Sequence, residues 1–274
     1  MNTPSEAENE MRRRFEERAR VIAASASKPV ARTVGLEAEY PTVSTHDGRL
    51  VEQSVRDAII AGAPDMLTCE MGAAQLELRT DPVDLDKEGL AGIEAAYNKI
   101  EQQAAGLAAR QGAGLVRIGS YPACRIDQIS RTKKEKYTCV PGFHDSLRGP
   151  YGATSAGLLD PACEPKADII ALMNSVQFNL AVAGPQEAVD LLNLSMSIVP
   201  VISALTGNAN FLQWKNTGYE DIRMVVWERS HDSRTLAEVL AGQPLRIGNP
   251  HRYFSSFEDY LAFASSFPFI LNKP

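Results

Sequence analysis

An α+β fold is predicted by three features of this 274-residue chain. Thr33 to Val43 alternates with a β-branched bias. Met66–Cys69 and Gln75–Thr80 are short strand-like runs around a Met71-Gly72-Ala73-Ala74 turn, and Leu85 to Arg110 is a long helix-forming stretch rich in Ala, Glu and Gln. Short strands that alternate with helices imply a mixed α+β architecture.

Taken in order, residues 6 to 25 carry helix formers with apolar positions on only part of the surface, and Ser25 to Pro29 breaks the pattern. Residues 1–30 are therefore expected to be an N-terminal helical arm, ahead of a main domain over 31–274. Thr33 to Val43 reads as a strand interrupted at Pro41, with a turn at His46-Asp47-Gly48, and Val51 to Ile60 reads as a short helix. After the long helix, Gly112 and Gly114 lead into a strand expected over Leu115 to Ile118. Pro122 to Asp160 mixes glycines, prolines, aromatics and charges without a sustained period, which predicts a loop region around a substrate mouth. Asn174 to Ala183 then reads as a strand, Gln186 to Leu205 as a helix and Asp221 to Trp227 as a further strand.

Composition narrows the function classes. Lys plus Arg number 28 against 34 Asp plus Glu, a formal charge of −6 and a pI near 5.4, which argues against a nucleic-acid carrier. The four cysteines, Cys69, Cys124, Cys139 and Cys163, are far apart and form no CxxC pair, so reduced thiols are expected. Leu191 to Leu205 is the most apolar stretch, but it is short and interspersed with Asn193, Ser195 and Ser197. No membrane partner is expected, and the expected location is the cytoplasm. No GxGxxG or GxxxxGK[ST] segment occurs, and Cys69 and Cys124 have no nearby His and Asp or Asn arrangement for nucleophilic chemistry. Arg131 to Lys136 is a charge cluster that suits either an anionic substrate or a solvated loop face.

The chemistry is concentrated in glutamates. A strand places Glu37 and Glu39 on one face, roughly 6 to 7 Å apart at about 3.3 Å of rise per residue. In Gln75-Leu76-Glu77-Leu78-Arg79, alternation leaves Gln75, Glu77 and Arg79 together on a polar face, while Glu70 sits just ahead of the turn. Several oxygen ligands on short strands suit magnesium, which favours hard donors in near-octahedral geometry. The same glutamates also fit an ordinary solvated strand face. Gln177 and Asn179 alternate with Val176, Phe178 and Leu180 and share a polar face on the later strand. Arg223, within an apolar run, calls for a phosphate or a carboxylate as partner, whereas Arg234 fits a solvated turn equally well.

These segments, in this order, resemble a known family. Gly35-Leu36-Glu37-Ala38-Glu39 resembles a Gly-x-Glu-x-Glu segment, and Cys69-Glu70-Met71-Gly72-Ala73-Ala74-Gln75-Leu76-Glu77-Leu78 resembles Leu-Glu-Pro-Gly-Gly-Gln-Phe-Glu-Leu. Ser175 to Leu180 resembles Thr-Val-Gln-Val-Asn-Leu, ahead of a helix that matches Ile198 to Leu205. Asn208 to Phe211, Tyr219 to Arg223, Val226-Trp227, Asp232 to Thr235 and Phe257 to Leu261 extend the series. The family is that of the glutamate–cysteine ligases of the carboxylate–amine ligase superfamily, and the likeness runs over about residues 33 to 270.

The resemblance implies a glutamine synthetase-like curved antiparallel sheet with flanking helices, so that 31–274 becomes the catalytic domain. It implies an ATP- and Mg2+-dependent ligase that joins a glutamate-like or other amino-acid carboxylate to an amine through an acyl phosphate. A nucleotide- or amino-acid-binding homologue without catalysis is the alternative. Glu37, Glu39, Glu70, Glu77 and Gln177 would hold or orient the metal, with Glu39 also catalytic. Gln177 and Asn179 would line the nucleotide site, and Arg223 and Arg234 would contact its phosphates. Two departures stand out: Ala73-Ala74 replaces a glycine pair, and Asn210-Phe211-Leu212 replaces Asn-Ser-Pro. Family members also continue beyond the equivalent of Pro274, where a late glutamate and arginine complete the site. Four alternatives stay open on this point: a naturally compact member, a fragment with an incomplete fold, a chain completed by a second copy or a complementing subunit as part of a ligase complex, and a member that has lost catalysis.

Overall fold

The computed structural model describes residues 6–25, 31–148 and 167–266, with 233, 235, 244, 246 and 249 excepted. Helix α1 spans Glu6–Ser25 and strand β1 Thr33–Ser44. Then come α2 (Gln53–Ala61), β2 (Leu67–Cys69), β3 (Gln75–Arg79), β4 (Val83–Asp84), α3 (Leu85–Arg110) and β5 (Ala113–Leu115). After α4 (Lys136–Arg148) follow β6 (Val176–Leu180), α5 (Pro185–Thr206), β7 (Phe211–Leu212), β8 (Lys215–Asn216), α6 (Arg223–Ser230), α7 (Leu236–Leu240) and α8 (Phe257–Ala264). The expected α+β architecture, an antiparallel sheet with flanking helices, is what these elements build.

β1 is the hub of the sheet. It pairs antiparallel with β3 along Glu37–Pro41 and with β6 along Val34–Ala38, on opposite flanks, while β4 meets its first residues and β5 its last. β2 extends the sheet beyond β3. Alternation along β1 sends Val34, Leu36, Ala38 and Tyr40 into one core, where they meet Leu67, Leu76 and Leu78 of the neighbouring strands. Ile59 of α2 and Ile93, Ile100, Ala104 and Leu107 of α3 close that core from above. On the same side, Tyr40 donates to Glu101 of α3 at 2.7 Å and bonds Tyr97 of that helix, and Arg117 pairs with Glu101, so the polar end of the core is satisfied.

The other face of β1 is covered at one end only. Val43 packs against a second apolar cluster of Tyr121, Cys124, Ile169, Leu172, Met173, Leu212, Ile222 and Val226. Towards the start of β1, Glu37 and Glu39 stay clear of it.

Four local expectations change. Asp221–Trp227 is not a strand: α6 begins at Arg223, because Asp221 accepts the Arg223 amide at 2.9 Å and the four-residue spacing buries Ile222 and Val226 together. A β-branched run had imitated a strand. The region from Pro122 is not all loop either, since it holds a short 3₁₀ turn at Ile126–Gln128 and α4, with Pro141 inside that helix; residues 149–160 lie outside the described residues. β1 runs through Pro41, whose carbonyl accepts from the Val116 amide at 3.3 Å, and the strand expected at Leu115 lies two residues earlier, at Ala113–Leu115. α3 carries one non-helical residue, Gly89, at φ 62°.

β6 and α5 leave apolar surface uncovered. Val176, Phe178 and Leu180 continue the core-facing rows of β1 yet are more than half exposed, and among the described residues only β1 pairs with β6. α5 is long and apolar enough by length and composition to cross a bilayer, although Leu191 to Leu205 alone is short, and only 6% of its apolar window is buried.

The Met71–Gln75 turn tolerates no side chain at its second residue. A Cβ on Gly72 would lie 2.7 Å from the Ala171 carbonyl and 2.9 Å from Gln75 Oε1, whereas a Cβ on Gly106 in α3 meets nothing within 4 Å. Urea unfolding should therefore show Gly72→Ala destabilised by about 1–3 kcal/mol and Gly106→Ala stabilised by about 0.5–1 kcal/mol. Equal behaviour of the two variants would contradict this packing.

Candidate metal and nucleotide site

The register of the sheet assembles the site. Glu39 stands opposite Glu77, and Glu37 stands between Arg79 of β3 and Gln177 of β6. Thr68 lies beyond Glu77, and the Glu39 amide donates to the Ser175 carbonyl at 2.9 Å. Two rows thus cross one face of the sheet, Thr68–Glu77–Glu39–Ser175 and Arg79–Glu37–Gln177. Glu70, one residue past β2 and opposite Gln75, adds a third carboxylate from the next row on the same face. One oxygen from each of Glu39, Glu70 and Glu77 lies within 4.8 Å of the other two. Glu37 is in the adjacent row and outside this trio.

Like charges placed opposite one another on neighbouring strands repel. The Arg79 guanidinium is 3.9 Å from Glu77 and 44% exposed, so water weakens its compensation. Burial, then the negative charge of Glu70 and the hydrogen bond that protonated Glu77 donates to it, push the Glu77 carboxyl up to about 7. Glu39 is also raised, chiefly by burial, although the Ser175 hydroxyl and amide donate to its Oε2 at 2.9 and 2.8 Å and oppose the shift. Gln177 Nε2 reaches Glu39 Oε1 at 3.3 Å. The buried Tyr137 hydroxyl donates to the Cys69 carbonyl at 3.1 Å and lies 3.4 Å from Glu70 Oε2; burial and the Glu70 charge hold it protonated.

The donor set fits a hard divalent cation. Magnesium binds oxygens at about 2.0–2.1 Å, which places ligand oxygens roughly 3 to 4 Å apart across an octahedron. The trio needs only a small closure to meet that spacing, and a cation there would offset the burial and like-charge repulsion that raise the Glu77 carboxyl.

The described elements from β1 to α8 coincide with a known family. Residues 33–267 match the family described as Glutamate-cysteine ligase family 2 (GCS2). The chain belongs to that family. A candidate glutamate–cysteine ligase of Streptomyces avermitilis is 23% identical over 237 residues, covering 84% of this chain and 56% of that protein. One from Rubrobacter xylanophilus is 24% identical over 236 residues, covering 84% and 53%. The chain thus spans about half the length of these GCS2 relatives. Among solved structures, the glutamate–cysteine ligase of Francisella tularensis in complex with AMP aligns at 14% identity and a TM-score of 0.34, over 62% of this chain and 30% of that one. That score is too low to bear on the site.

Within this GCS2 domain the remaining expected residues lie at different removes. Arg223, at the start of α6, is held by Asp221 and donates from Nη1 to the Asn174 carbonyl at 2.7 Å, beside the Ser175 that binds Glu39. Asn179 is opposite Gly35, roughly 13 Å along β6 from Ser175 at about 3.3 Å per residue. Arg234 is held by Asp232 at 2.7–2.9 Å and by the Gln243 carbonyl at 2.7 Å, on the segment that follows α6. Arg131 of the basic cluster pairs with Asp168. Cys69, Cys124 and Cys139 are free thiols, and Cys163 lies outside the described residues.

Sequence reasoning missed Ser175, Tyr137, Thr132 and Arg56. Only Arg56 carried a signal: with Val55, Ile59 and Ile60 it occupies the apolar spacing of α2, where a charge is out of place.

The raised Glu77 carboxyl has a definite pH consequence. Between about 4.5 and about 7 the folded chain keeps a proton that the unfolded chain releases, so folding stability falls as pH rises through that window. A bound cation displaces that proton. Metal-free thermal midpoints should drop from pH 5 to pH 8, Mg2+ should restore the loss at pH 8 and do little at pH 5, and Glu77→Gln should flatten both trends. A wild-type midpoint that is independent of pH and Mg2+ would contradict the assignment.

Proposed function

We propose that this chain carries the cation and nucleotide site of an ATP-dependent carboxylate–amine ligase. The observation that carries the reading is the convergence of Glu39, Glu70 and Glu77 on one sheet face within the segment that matches the GCS2 family. In the proposed reaction the carboxylate of a glutamate-like or other amino acid attacks the γ-phosphoryl group of ATP, giving an acyl phosphate and ADP. An amine then attacks the acyl carbon, phosphate leaves, and an amide and a proton result.

Glu39, Glu70 and Glu77 would hold Mg2+, with Glu37 and Gln177 on the flanking row. The metal would supply charge neutralisation at phosphoryl oxygens, the main requirement of phosphoryl transfer. Ser175 fixes one face of Glu39, leaving Oε1 to Gln177 and the site. Arg223 is suited to hold the 174–175 segment and, with Arg234, to offset phosphate charge at the rim. Gln177 and Asn179 point along the polar face of β6 and would line the nucleotide.

The chain spans about half the length of the relatives it matches, and the alternative proposal is a nucleotide- or amino-acid-binding homologue without turnover, or one part of a ligase complex. ADP release measured with Mg2+, ATP, an amino-acid panel and an amine panel separates the two. On the ligase reading Glu39→Gln and Glu77→Gln fold normally and lose about 100-fold or more in ADP formation. Arg223→Ala weakens nucleotide use about 10- to 100-fold. Undiminished turnover in folded glutamine variants would refute these roles, and tight nucleotide binding without ADP would select the second reading.

A further inference from the structure

Arg56 is the largest fully buried side chain among the described residues, and a buried charge persists only where its surroundings compensate it. Asp57 meets one side of the guanidinium, at 2.9 Å from Nε and 2.8 Å from Nη2. Nη1 faces the other way. It donates to Thr132 Oγ1 at 2.8 Å, to the Gln75 carbonyl at 3.2 Å and to the Gly72 carbonyl at 3.3 Å. The Thr132 hydroxyl in turn donates to the Glu70 carbonyl at 2.5 Å, and the Thr132 amide to the Met71 carbonyl at 2.8 Å. All of these oxygens belong to the segment that joins Glu70 to Glu77, or hold it.

The rest of the turn is tied just as closely. Gly72 donates to Gln75 Oε1 at 2.7 Å, and Gln75 Nε2 donates to the Met173 carbonyl at 2.7 Å and to Asn174 Oδ1 at 3.2 Å. Asn174 precedes Ser175, the residue that fixes Glu39, and its carbonyl accepts from Arg223. A continuous buried network therefore runs from Arg56 through the turn to the carboxylates on both strands.

We infer that Arg56 is a positioning residue for the acidic site: its guanidinium fixes the Glu70–Gln75 backbone and thereby sets the separation of the Glu70, Glu77 and Glu39 carboxylates. The inference rests on the reading of that trio as a cation site. A lysine ammonium gathers its donors at one point and cannot span Asp57 on one side and the three oxygens on the other, so the fork of arginine is needed.

The test compares Arg56→Met and Arg56→Lys with Ile59→Val, a core change on the same helix, using the full chain. Mn2+ titration reads cation affinity, and amide exchange in metal-free protein reads protection of residues 70–77. Arg56→Met is expected to weaken Mn2+ binding by about 10- to 100-fold, the usual cost of losing a residue behind the ligands. It should also speed exchange across 70–77 while leaving α3 protected. Arg56→Lys should fall between wild type and Arg56→Met, and it decides the matter if Arg56→Met does not fold. Ile59→Val should lower the thermal midpoint and change neither readout. Wild-type affinity and protection in folded Arg56 variants, or the same losses in Ile59→Val, would overturn the inference. A wild-type chain that binds no Mn2+ would instead refute the cation reading, and the exchange data would still decide whether Arg56 holds the turn.

Discussion

The structure depends on the period-two alternation of β1. One strand of twelve residues supplies Val34, Leu36, Ala38 and Tyr40 to the main core and Glu37 and Glu39 to the opposite face. Because the side-chain period is two, a slip of one residue in the pairing with β3 or β6 would bury both glutamates and expose the core row. The burial that stabilises the sheet therefore also fixes the position of the acidic row. Register is the common cause of fold and site, and among the described residues β1 is the strand that pairs with both β3 and β6 and so stands in both the Glu39–Glu77 and the Glu37–Gln177 pairs.

That coupling has an energetic cost, which the structure concentrates at one place. Burial and neighbouring carboxylates disfavour the ionised forms of Glu77 and Glu39, and the Glu77 carboxyl is raised to about 7. The surrounding backbone does not relax away from the strain. The turn between Glu70 and Glu77 is hydrogen bonded to α2 through Arg56, to the 130–132 segment and to β1, where the Thr42 amide donates to the Ala74 carbonyl at 2.9 Å. An acidic cluster that only faced water would need no such frame, since exposed carboxylates separate freely. Holding them close when they repel suits a site whose charge is completed by a cation.

What could be read from the sequence follows the range of the interactions concerned. The alternation of Thr33–Val43 and the seven-residue interval from Glu70 to Glu77 are local patterns, and the strands and their polar faces were legible from them. The meeting of Glu70 with Glu39 is a matter of pairing register and was not. Asp221–Trp227 was misread because Ile222, Val225 and Val226 satisfy both a strand and one face of a helix; the capping contact of Asp221 decides for the helix. Tyr137 and Thr132 reach the site from a stretch whose composition says loop, so their roles exist only in three dimensions. Arg56 was visible as a charge on an apolar helical face, but its partners at Gly72 and Thr132 lie 16 and 76 residues away.

The two faces of the sheet are also closed unequally, and this links stability to the site once more. Helices α2 and α3 cover β1 and β3, but the same core-facing row continues onto β6 as Val176, Phe178 and Leu180 with nothing described above it. Burying the exposed half of each such side chain would contribute roughly 0.8–1.5 kcal/mol. On the opposite face of the same strand stand Gln177, beside Glu37 and Glu39, and Asn179. Core and site thus meet on β6, since the strand that carries the uncovered apolar row carries Gln177 beside the carboxylates on its reverse face.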